Sequence, residues 1–488
     1  MTLIPKKLPF WALALTLLAT GCRVGPKYVK PVVPTYQAPD AFKDAYKELD
    51  PNWHAADPAD ARLKGDWWTL FHESDLSLLE VRAAIQNQSL RSAAARYEQA
   101  RAQIGINNAS RFPVLGTAPF VGGTRTSAAR PYASTASAQS NQGFADLVLP
   151  LTFSYEVDLW GRIHRTIDLA REESQASAAD LVNAQLSIQT DLAVDYFEVR
   201  AADAQRKLLE ETIGDYREAL RITTNRFQGG VVAESDVFQA QTQLQAAIVQ
   251  AEDTAVRRAQ YEHAIAVLIG QPPNSFSMPV SPLIAQPPSI PVGLPSELLE
   301  RRPDIAAAER RTAEANERIG IARAAYFPAL NLAASLGFES TTLAGFFNAS
   351  NVVYALGPTL AYTFFDAGRR GYITAQANAG FDQASADYRQ TALTAFQQVE
   401  DNLAALRILA DEQAEQGKAT AAAKGAQQIF NNRYVGGIDT YLQVVTAQQT
   451  ALNNQRNDID ILRRRMDASV LLIKALGGGW DTTKLVQP

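Results

Sequence analysis

The sequence has very few of the residues that build disulfide frameworks, metal sites or histidine-based catalytic centres. Of its 488 residues, one is cysteine and four are histidine. A single cysteine cannot form an internal disulfide. The histidines share no metal-ligand spacing; they are His54, His72, His164 and His263. We therefore expect no catalytic residue and no metal site, and we interpret the chain as something other than an enzyme.

Excess positive charge and long apolar runs are also missing. The formal net charge is -5, from 46 basic and 51 acidic residues, so no nucleic acid is expected as a partner. One apolar run, Leu8 to Ala19, follows Lys6 and Lys7, and it is too short to span a membrane. No other stretch approaches the roughly 18 apolar residues of a spanning helix. Any further bilayer crossing would have to be made by β-strands.

The one cysteine, Cys22, comes directly after the small residues Ala19-Thr20-Gly21. Two interpretations are open: ordinary signal cleavage nearby that leaves a free thiol, or cleavage before Cys22 followed by its acylation. The position of the cysteine at the end of a signal-like run favours acylation. Residues 1–21 are thus predicted to be a lipoprotein signal peptide. A covalent lipid on Cys22 is expected, and no other cofactor.

Two stretches contain no proline and little glycine, namely Gly161 to Gly230 and Gly368 to Gly437. Each is 69 residues from glycine to glycine, begins with Gly-Arg and ends in Gly-Gly. A helix of this length would span roughly 100 Å. Apolar residues recur at every seventh position of the first stretch, which predicts coiled-coil packing, although Asp195 and Arg206 interrupt the apolar seams.

The sequence around these stretches is duplicated. The run IGINNASRFP at Ile104 to Pro113 recurs as IGIARAAYFP at Ile319 to Pro328, which indicates an internal repeat. The first repeat, 67–270, is predicted to contain a helix, strands at about 112–126 and 144–159, a long helix 161–229 and a return helix 233–269. The second, 304–477, contains a helix, strands at about 327–340 and 353–366, a long helix 368–436 and a return helix 440–476. Proline-rich segments form an N-terminal arm (22–66) and a linker (271–303), and 478–488 is a C-terminal tail.

The predicted strands alternate in polarity. From Leu147 to Leu159 every second residue is apolar, and the residues between them are mostly polar, which is typical of a strand with one face toward lipid. Four such strands cannot close a barrel, whereas three copies of the chain would supply about twelve. The fold class predicted is mainly α with a β-barrel part, in which polar strand faces line a lumen that the helices extend.

Several motifs carry a resemblance to a known family. They are Val24-Gly25-Pro26-Lys27-Tyr28, Trp67-Trp68-Thr69-Leu70-Phe71, Asp158-Leu159-Trp160-Gly161-Arg162, Arg301-Arg302-Pro303-Asp304-Ile305, Tyr326-Phe327-Pro328 and Phe365-Asp366-Ala367-Gly368-Arg369. With them the chain resembles the TolC-like outer-membrane factors, in particular the lipoprotein branch called NodT-type. The resemblance implies a homotrimer with a twelve-stranded β-barrel in the outer membrane and an α-helical barrel in the periplasm. It also implies a periplasmic adaptor (membrane fusion protein) and an inner-membrane transporter, of RND type, as partners.

The resemblance also implies where the functional residues lie. Docking and gating are expected at the two periplasmic tips, at Arg226, Phe227, Gly229, Gly230 and Asp236, and at Arg433, Tyr434, Gly436, Gly437, Asp439 and Gln443, with Tyr434 and Arg433 in gate-linking contacts. Several relatives carry carboxylates just after the second tip, where this chain has Gln443 and Thr446. Two of the junction residues, Asp158 and Asp366, are expected to cap a helix or to form hydrogen bonds at a strand end. The strand-to-helix junctions are placed at Asp158, Gly161, Arg162, Asp366, Gly368 and Arg369.

The function predicted is an exit duct that passively conducts substrates from an efflux pump to the exterior. Two alternatives remain open. One is the exit duct of a type I protein secretion system. The other is a periplasmic adaptor-type lipoprotein built from helical hairpins, against which the duplicated strands argue.

Overall fold

The computed structural model describes residues 23–31, 66–125, 143–288, 290 and 302–478. Cys22, the predicted signal peptide, residues 32–65 of the arm, residues 291–301 of the linker and residues 479–488 of the tail lie outside the described residues. Within the described ranges, no helix combines the length and the hydropathy that crossing a membrane requires.

Seven α-helices account for most of the described chain. They are α1 (Ser74–Gln86), α2 (Gln88–Ala109), α3 (Arg162–Gln228), α4 (Glu234–Leu268), α5 (Pro303–Ala324), α6 (Arg369–Val435) and α7 (Tyr441–Ala475). The long helices α3 and α6 contain 67 residues each, and the return helices α4 and α7 contain 35 each. Each long helix packs against the return helix of its own repeat, and α5 lies between α3 and α6.

A side chain divides the first predicted helix in two. Asn87 adopts an extended ψ of 124° between α1 and α2, and its Oδ1 accepts a hydrogen bond from the Leu90 backbone N–H at 2.9 Å. This is an N-cap, because the amide oxygen satisfies one of the unpaired donors of the new helix. The Asn87 Nδ2 donates to the Leu268 carbonyl at 2.7 Å and so fixes the break against the end of α4.

The strands form one antiparallel sheet. They are β1 (Val114–Thr117), β2 (Phe120–Thr124), β3 (Phe144–Val157), β4 (Ala329–Ser340) and β5 (Val352–Ala361), in the order β1-β3-β4-β5, with β2 also paired to β3. The strand predicted at 112–126 is therefore two short strands, separated at Ala118-Pro119, because proline has no N–H to donate to the ladder. The strand predicted at 353–366 ends earlier, at Ala361.

The register gathers apolar residues on one face of the sheet. Leu151 lies opposite Leu336, which in turn lies opposite Tyr354. One position along, Thr152 lies opposite Ser335 on the other face. Because side chains alternate between faces along a strand, one face of the sheet is mostly apolar and the other carries mostly small and polar side chains.

The main core lies around the middle of α3. Tyr196 and Phe197 are fully buried there, and the Phe197 ring lies 5.1 Å from the ring of Phe71. Glu80 of α1 is also fully buried, and neither of its carboxyl oxygens has a hydrogen-bond partner among the described residues. Burial raises the pKa of Glu80 to about 9, because the charged form is poorly solvated.

The described part of the N-terminal arm is fixed to the body by Arg165. Its guanidinium donates to the carbonyls of Val24 (2.7 Å) and Pro26 (3.2 Å) and to the Glu317 carboxylate (2.8 Å). Gly25 adopts a φ of +111°, and a Cβ there would lie 2.8 Å from the Cα of Gly320. The arm can approach this closely only because both contacting residues lack side chains.

Candidate functional site at the helix tips

The two long helices end in nearly identical turns, which we call the first tip turn (226–231) and the second tip turn (433–438). In the first, the Gly230 N–H donates to the Phe227 carbonyl and the Val231 N–H to the Arg226 carbonyl, both at 2.9 Å. Gly230 has a φ of +71°. This is a Schellman motif, in which a left-handed residue lets the chain reverse while pairing the last helical carbonyls.

The second tip turn repeats this pattern. The Gly437 N–H donates to the Tyr434 carbonyl at 3.0 Å and the Ile438 N–H to the Arg433 carbonyl at 2.9 Å, with a φ of +73° at Gly437. The preceding glycines, Gly229 and Gly436, have ordinary negative φ values. The left-handed conformation thus falls on the second glycine of each pair.

An arginine crosses from the first tip turn to the second. The Arg226 guanidinium donates from Nη1 to the Tyr434 carbonyl at 2.7 Å and from Nη2 to the Val435 carbonyl at 2.8 Å. Its Cζ also lies 4.6 Å from the centre of the Tyr434 ring, within the range of a cation–π contact. The guanidinium thus bonds two carbonyls at the end of α6, where a positive charge is favoured.

Arg433 pairs within its own turn, where its Nε donates to Asp439 at 2.5 Å. The gate-linking contacts expected of Tyr434 and Arg433 stay a prediction. Arg226 is the residue that reaches Tyr434. The reason is geometric, since α6 directs Tyr434 toward the α3–α4 hairpin and leaves Arg433 half exposed.

Tyr434 lies in a small apolar core between the two tips. Its ring is buried and lies 5.3 Å from the ring of Tyr441, and its hydroxyl is 3.3 Å from the Thr223 hydroxyl. Burial raises the pKa of Tyr441, and the nearby Tyr434 and Asp236 add to the effect. Thr223 and Tyr441 were not identified from the sequence. Thr223 could have been found because it lies one helical turn before Arg226, and Tyr441 because it is the first residue of α7.

The other predicted tip residues are separate from this contact. Asp236 lies in the first turn of α4, where the helix dipole favours a carboxylate. Gln443 is exposed in the first turn of α7, and Phe227 remains 41% exposed. Val231 and Ile438, which directly follow the two left-handed glycines, are each 70% exposed. Each tip therefore presents an apolar side chain to its surroundings.

The strand-to-helix junctions are fixed by carboxylates. The Asp158 Oδ2 accepts the His164 backbone N–H at 2.9 Å. In the second repeat, Asp366 accepts from the Gly368 N–H at 3.1 Å and from the Arg370 Nε at 2.6 Å. Gly161 and Gly368 have φ values of +75° and +84°.

The arginines at these junctions have separate roles. Arg162 donates to Glu156 of β3 at 2.6 Å and 2.9 Å. Arg369, which the sequence indicated, contributes its backbone N–H to the Asp366 carbonyl at 3.1 Å, whereas the side chain that pairs with Asp366 belongs to Arg370.

The first junction also contacts the turn between α5 and β4, which was not predicted. The Trp160 Nε1 donates to the Pro328 carbonyl at 2.8 Å, and the Trp160 ring stacks on Phe327 with 4.6 Å between centres. In the described ranges, no group of three or more His, Cys, Asp or Glu residues could hold a metal ion.

Comparison with known proteins agrees with this architecture. The family described as outer membrane efflux protein matches residues 79–271 and 294–478. A probable efflux pump outer membrane protein of Pseudomonas putida, SepC, is 31% identical over 478 residues, 97% of this chain and 98% of SepC. Outer membrane protein OprJ of Pseudomonas aeruginosa is 31% identical over 475 residues, 96% of this chain and 95% of OprJ.

The fold is shared with solved structures as well. The outer-membrane channel OprN superimposes with a TM-score of 0.81 at 27% sequence identity, covering 94% of this chain and 100% of OprN. The predicted TolC-like fold class is thereby confirmed. The chain belongs to the outer membrane efflux protein family, and it is an outer-membrane exit duct of an efflux pump.

Proposed function

We propose that three copies of this chain close into one duct through the edges of their sheets. Among the described strands, β1 and β5 are the edges of the sheet. An unpaired edge is not tolerated in lipid, because its N–H and C=O groups would have no partners. If β5 of one copy pairs with β1 of the next, three copies give about twelve strands, with β1 and β2 counted as one interrupted strand. The apolar face then meets lipid and the polar face lines the lumen.

The tips are the proposed gate of this duct. The observation that carries the proposal is the crossing contact from Arg226 to Tyr434, which joins the α3–α4 hairpin to the α6–α7 hairpin. Moving one hairpin away from the other breaks this contact and widens the helical end. Conduction is then passive and needs no catalytic residue, because the partner pump supplies the energy.

The proposed partners are a periplasmic adaptor and an inner-membrane transporter of the RND type. SepC carries the name of an efflux pump outer membrane protein, and such a pump needs a component that reaches the duct from the inner membrane. Val231 and Ile438 occupy equivalent positions in the two repeats and are equally exposed at the tips. These apolar side chains at the tip of each hairpin could be buried against apolar side chains at the end of a helix pair of the adaptor.

A matched pair of variants tests the tips. Gly230→Asp with Gly437→Asp places a negative charge at both turns, while Gly230→Asn with Gly437→Asn places a neutral side chain of the same shape there. No atom lies within 4 Å of a Cβ at either position, and asparagine tolerates a positive φ. We expect the Asp pair to lower pump-dependent efflux and adaptor co-purification, and the Asn pair to retain most of both. Wild-type efflux with the Asp pair would remove the docking proposal.

We also propose that Cys22 carries the lipid that anchors the chain. The neighbouring residues support this, since the Val24 N–H donates to the Trp160 carbonyl at 3.2 Å and Arg23 lies beside Gly161. Arg23 and Val24, which directly follow Cys22, thus lie beside the strand-to-helix junction, at the level where strands in the membrane would end. Cys22→Ser should abolish labelling of the protein by radioactive palmitate. Unchanged labelling would show that Cys22 is not the acylated residue.

A further inference from the structure

A cluster of carboxylates lies where the two helical hairpins meet, far from the tips. We call it the acid cluster; its members are Asp195 and Glu198 of α3 and Asp460 and Asp467 of α7. Asp195 stands about half-way along α3, at the position where it interrupts the apolar seam. Asp467 lies near the end of α7. The cluster therefore joins the first repeat to the second at the level where α7 ends.

One guanidinium forms ion pairs with three of these carboxylates. Arg463 donates to Glu198 at 2.5 Å, to Asp467 at 2.9 Å and to Asp460 at 2.9 Å. Four carboxylates against one arginine leave a formal charge of -4 + 1 = -3 when all are ionised. Like charges at this spacing repel, and partial burial weakens their screening by water.

Two of the carboxylates are also poorly solvated. Glu198 and Asp467 side chains are each 17% exposed, and the Asp467 Oδ1 is buried without a hydrogen-bond partner among the described residues. Further titratable groups face the cluster, among them Asp191 of α3, Lys474 of α7, which lies 3.9 Å from Asp191, and Tyr261 of α4. Lys474 thus pairs with Asp191.

Two of the four carboxyls are consequently shifted toward neutral pH. Burial raises the pKa of Asp195 to about 7, with Asp191 and Glu198 contributing as like charges. Burial likewise raises the pKa of Asp467 to about 7; Arg463 opposes the shift, and Glu198, Asp460 and Asp195 add to it. A carboxyl whose pKa rises when two surfaces come together binds a proton more tightly in the joined state.

We infer that the α3–α7 contact takes up protons at the acid cluster and tightens as it does so, which makes the joined arrangement of the two hairpins favoured by mild acidity. This rests on the proposed function, since separation of the same hairpins is the proposed opening. The sign follows from linkage. When the hairpins are separated, the carboxyls are solvated and lose their protons near the ordinary aspartate pKa. When they are joined, Asp195 and Asp467 keep their protons up to about pH 7. The joined state therefore loses stability as the pH rises from the ordinary aspartate pKa to about 7.

Hydrogen exchange of the full-length protein in detergent tests the contact without requiring conduction. We expect protection of backbone amides in α7, corrected for intrinsic exchange, to rise about tenfold or more from pH 7.5 to pH 5.5. Asp195→Asn with Asp467→Asn should make protection high and nearly independent of pH. The control, Asp253→Asn with Asp411→Asn, removes two exposed carboxylates outside the cluster and should keep the wild-type pH dependence.

The outcomes separate the two proposals. Equal pH dependence in the cluster variant and the wild type, or no pH dependence in the wild type, overturns the inference. If the wild type shows the pH-dependent contact but forms no conducting channel in planar bilayers, the inference about the acid cluster stands and the proposed gating function is wrong.

Discussion

Arg226 and Tyr434 join the ends of the two long helices: the guanidinium lies 4.6 Å from the ring centre and donates to the tyrosine carbonyl at 2.7 Å. The two residues come from different repeats, 208 positions apart. The guanidinium bonds the Val435 carbonyl and adds a second hydrogen bond to the Tyr434 carbonyl, so separating the hairpins costs these bonds. The first two predictions concern this contact.

Replacing Arg226 with alanine should increase the open fraction of the duct. The variant loses two charge-assisted hydrogen bonds and a ring contact, together about 2 kcal/mol, which corresponds to roughly a thirtyfold shift between joined and separated tips. Single-channel recordings in planar bilayers measure the open fraction. Arg221→Ala is the control, because Arg221 is exposed and pairs with Glu218 of its own helix. Equal open fractions in both variants would contradict the assignment.

Tyr434→Phe should have a much smaller effect than Tyr434→Ala. The phenylalanine keeps the ring beneath Arg226 and removes only the hydroxyl contact to Thr223, worth about 1 kcal/mol or a few-fold change. The alanine variant also removes the ring. In a double-mutant cycle, Arg226→Ala and Tyr434→Ala should not be additive, since each removes part of the same contact. Additive effects on the open fraction would show that the two residues act separately.

Glu80→Gln should stabilise the protein, and the gain should grow with pH. The unfolded chain ionises Glu80 near its ordinary pKa of 4.5, whereas the folded chain keeps it protonated up to about 9. Wild-type stability therefore falls by about 1.4 kcal/mol per pH unit between these values relative to the glutamine variant. Thermal unfolding at pH 5 and pH 8 measures the difference. Glu98→Gln, at an exposed position of α2, should show no such trend; a pH-independent gain at Glu80 would mean that its carboxyl is ionised in the folded protein.

Gly25→Ala should release the N-terminal arm from the body. A Cβ at Gly25 would meet the Cα of Gly320 at 2.8 Å and the Arg165 guanidinium at 2.9 Å, and the φ of +111° is strained for alanine. We expect faster protease cleavage in the arm and a loss of at least about 1 kcal/mol. Gly105→Ala, in α2 with open space around it, should be neutral or gain about 0.5 kcal/mol. Matching cleavage rates for both variants would contradict the close packing.

Periodic patterns in the sequence predicted the long helices and the main strand. The two proline-free stretches predicted α3 and α6, with a seven-residue apolar repeat in the first, and the alternation from Leu147 to Leu159 predicted the two faces of β3. These patterns are local, since they depend on the backbone period of one element. The breaks inside two predicted elements could not be found from such local patterns. Asn87 divides α1 from α2 because its amide also bonds the end of α4, and Pro119 separates β1 from β2 within a pattern that looked like one strand.

The sequence by itself determined the duplication, the lengths of the helices, the glycine turns at the tips and the polarity of the strands. All of these follow from residue type and spacing along one segment. The tertiary structure alone decided which side chains meet across the repeats: Arg226 with Tyr434, Arg165 with Glu317, and Arg463 with Glu198. Such pairs depend on the rotation and axial offset of long helices packed side by side, and a shift of one residue turns a side chain by about 100° about the helix axis.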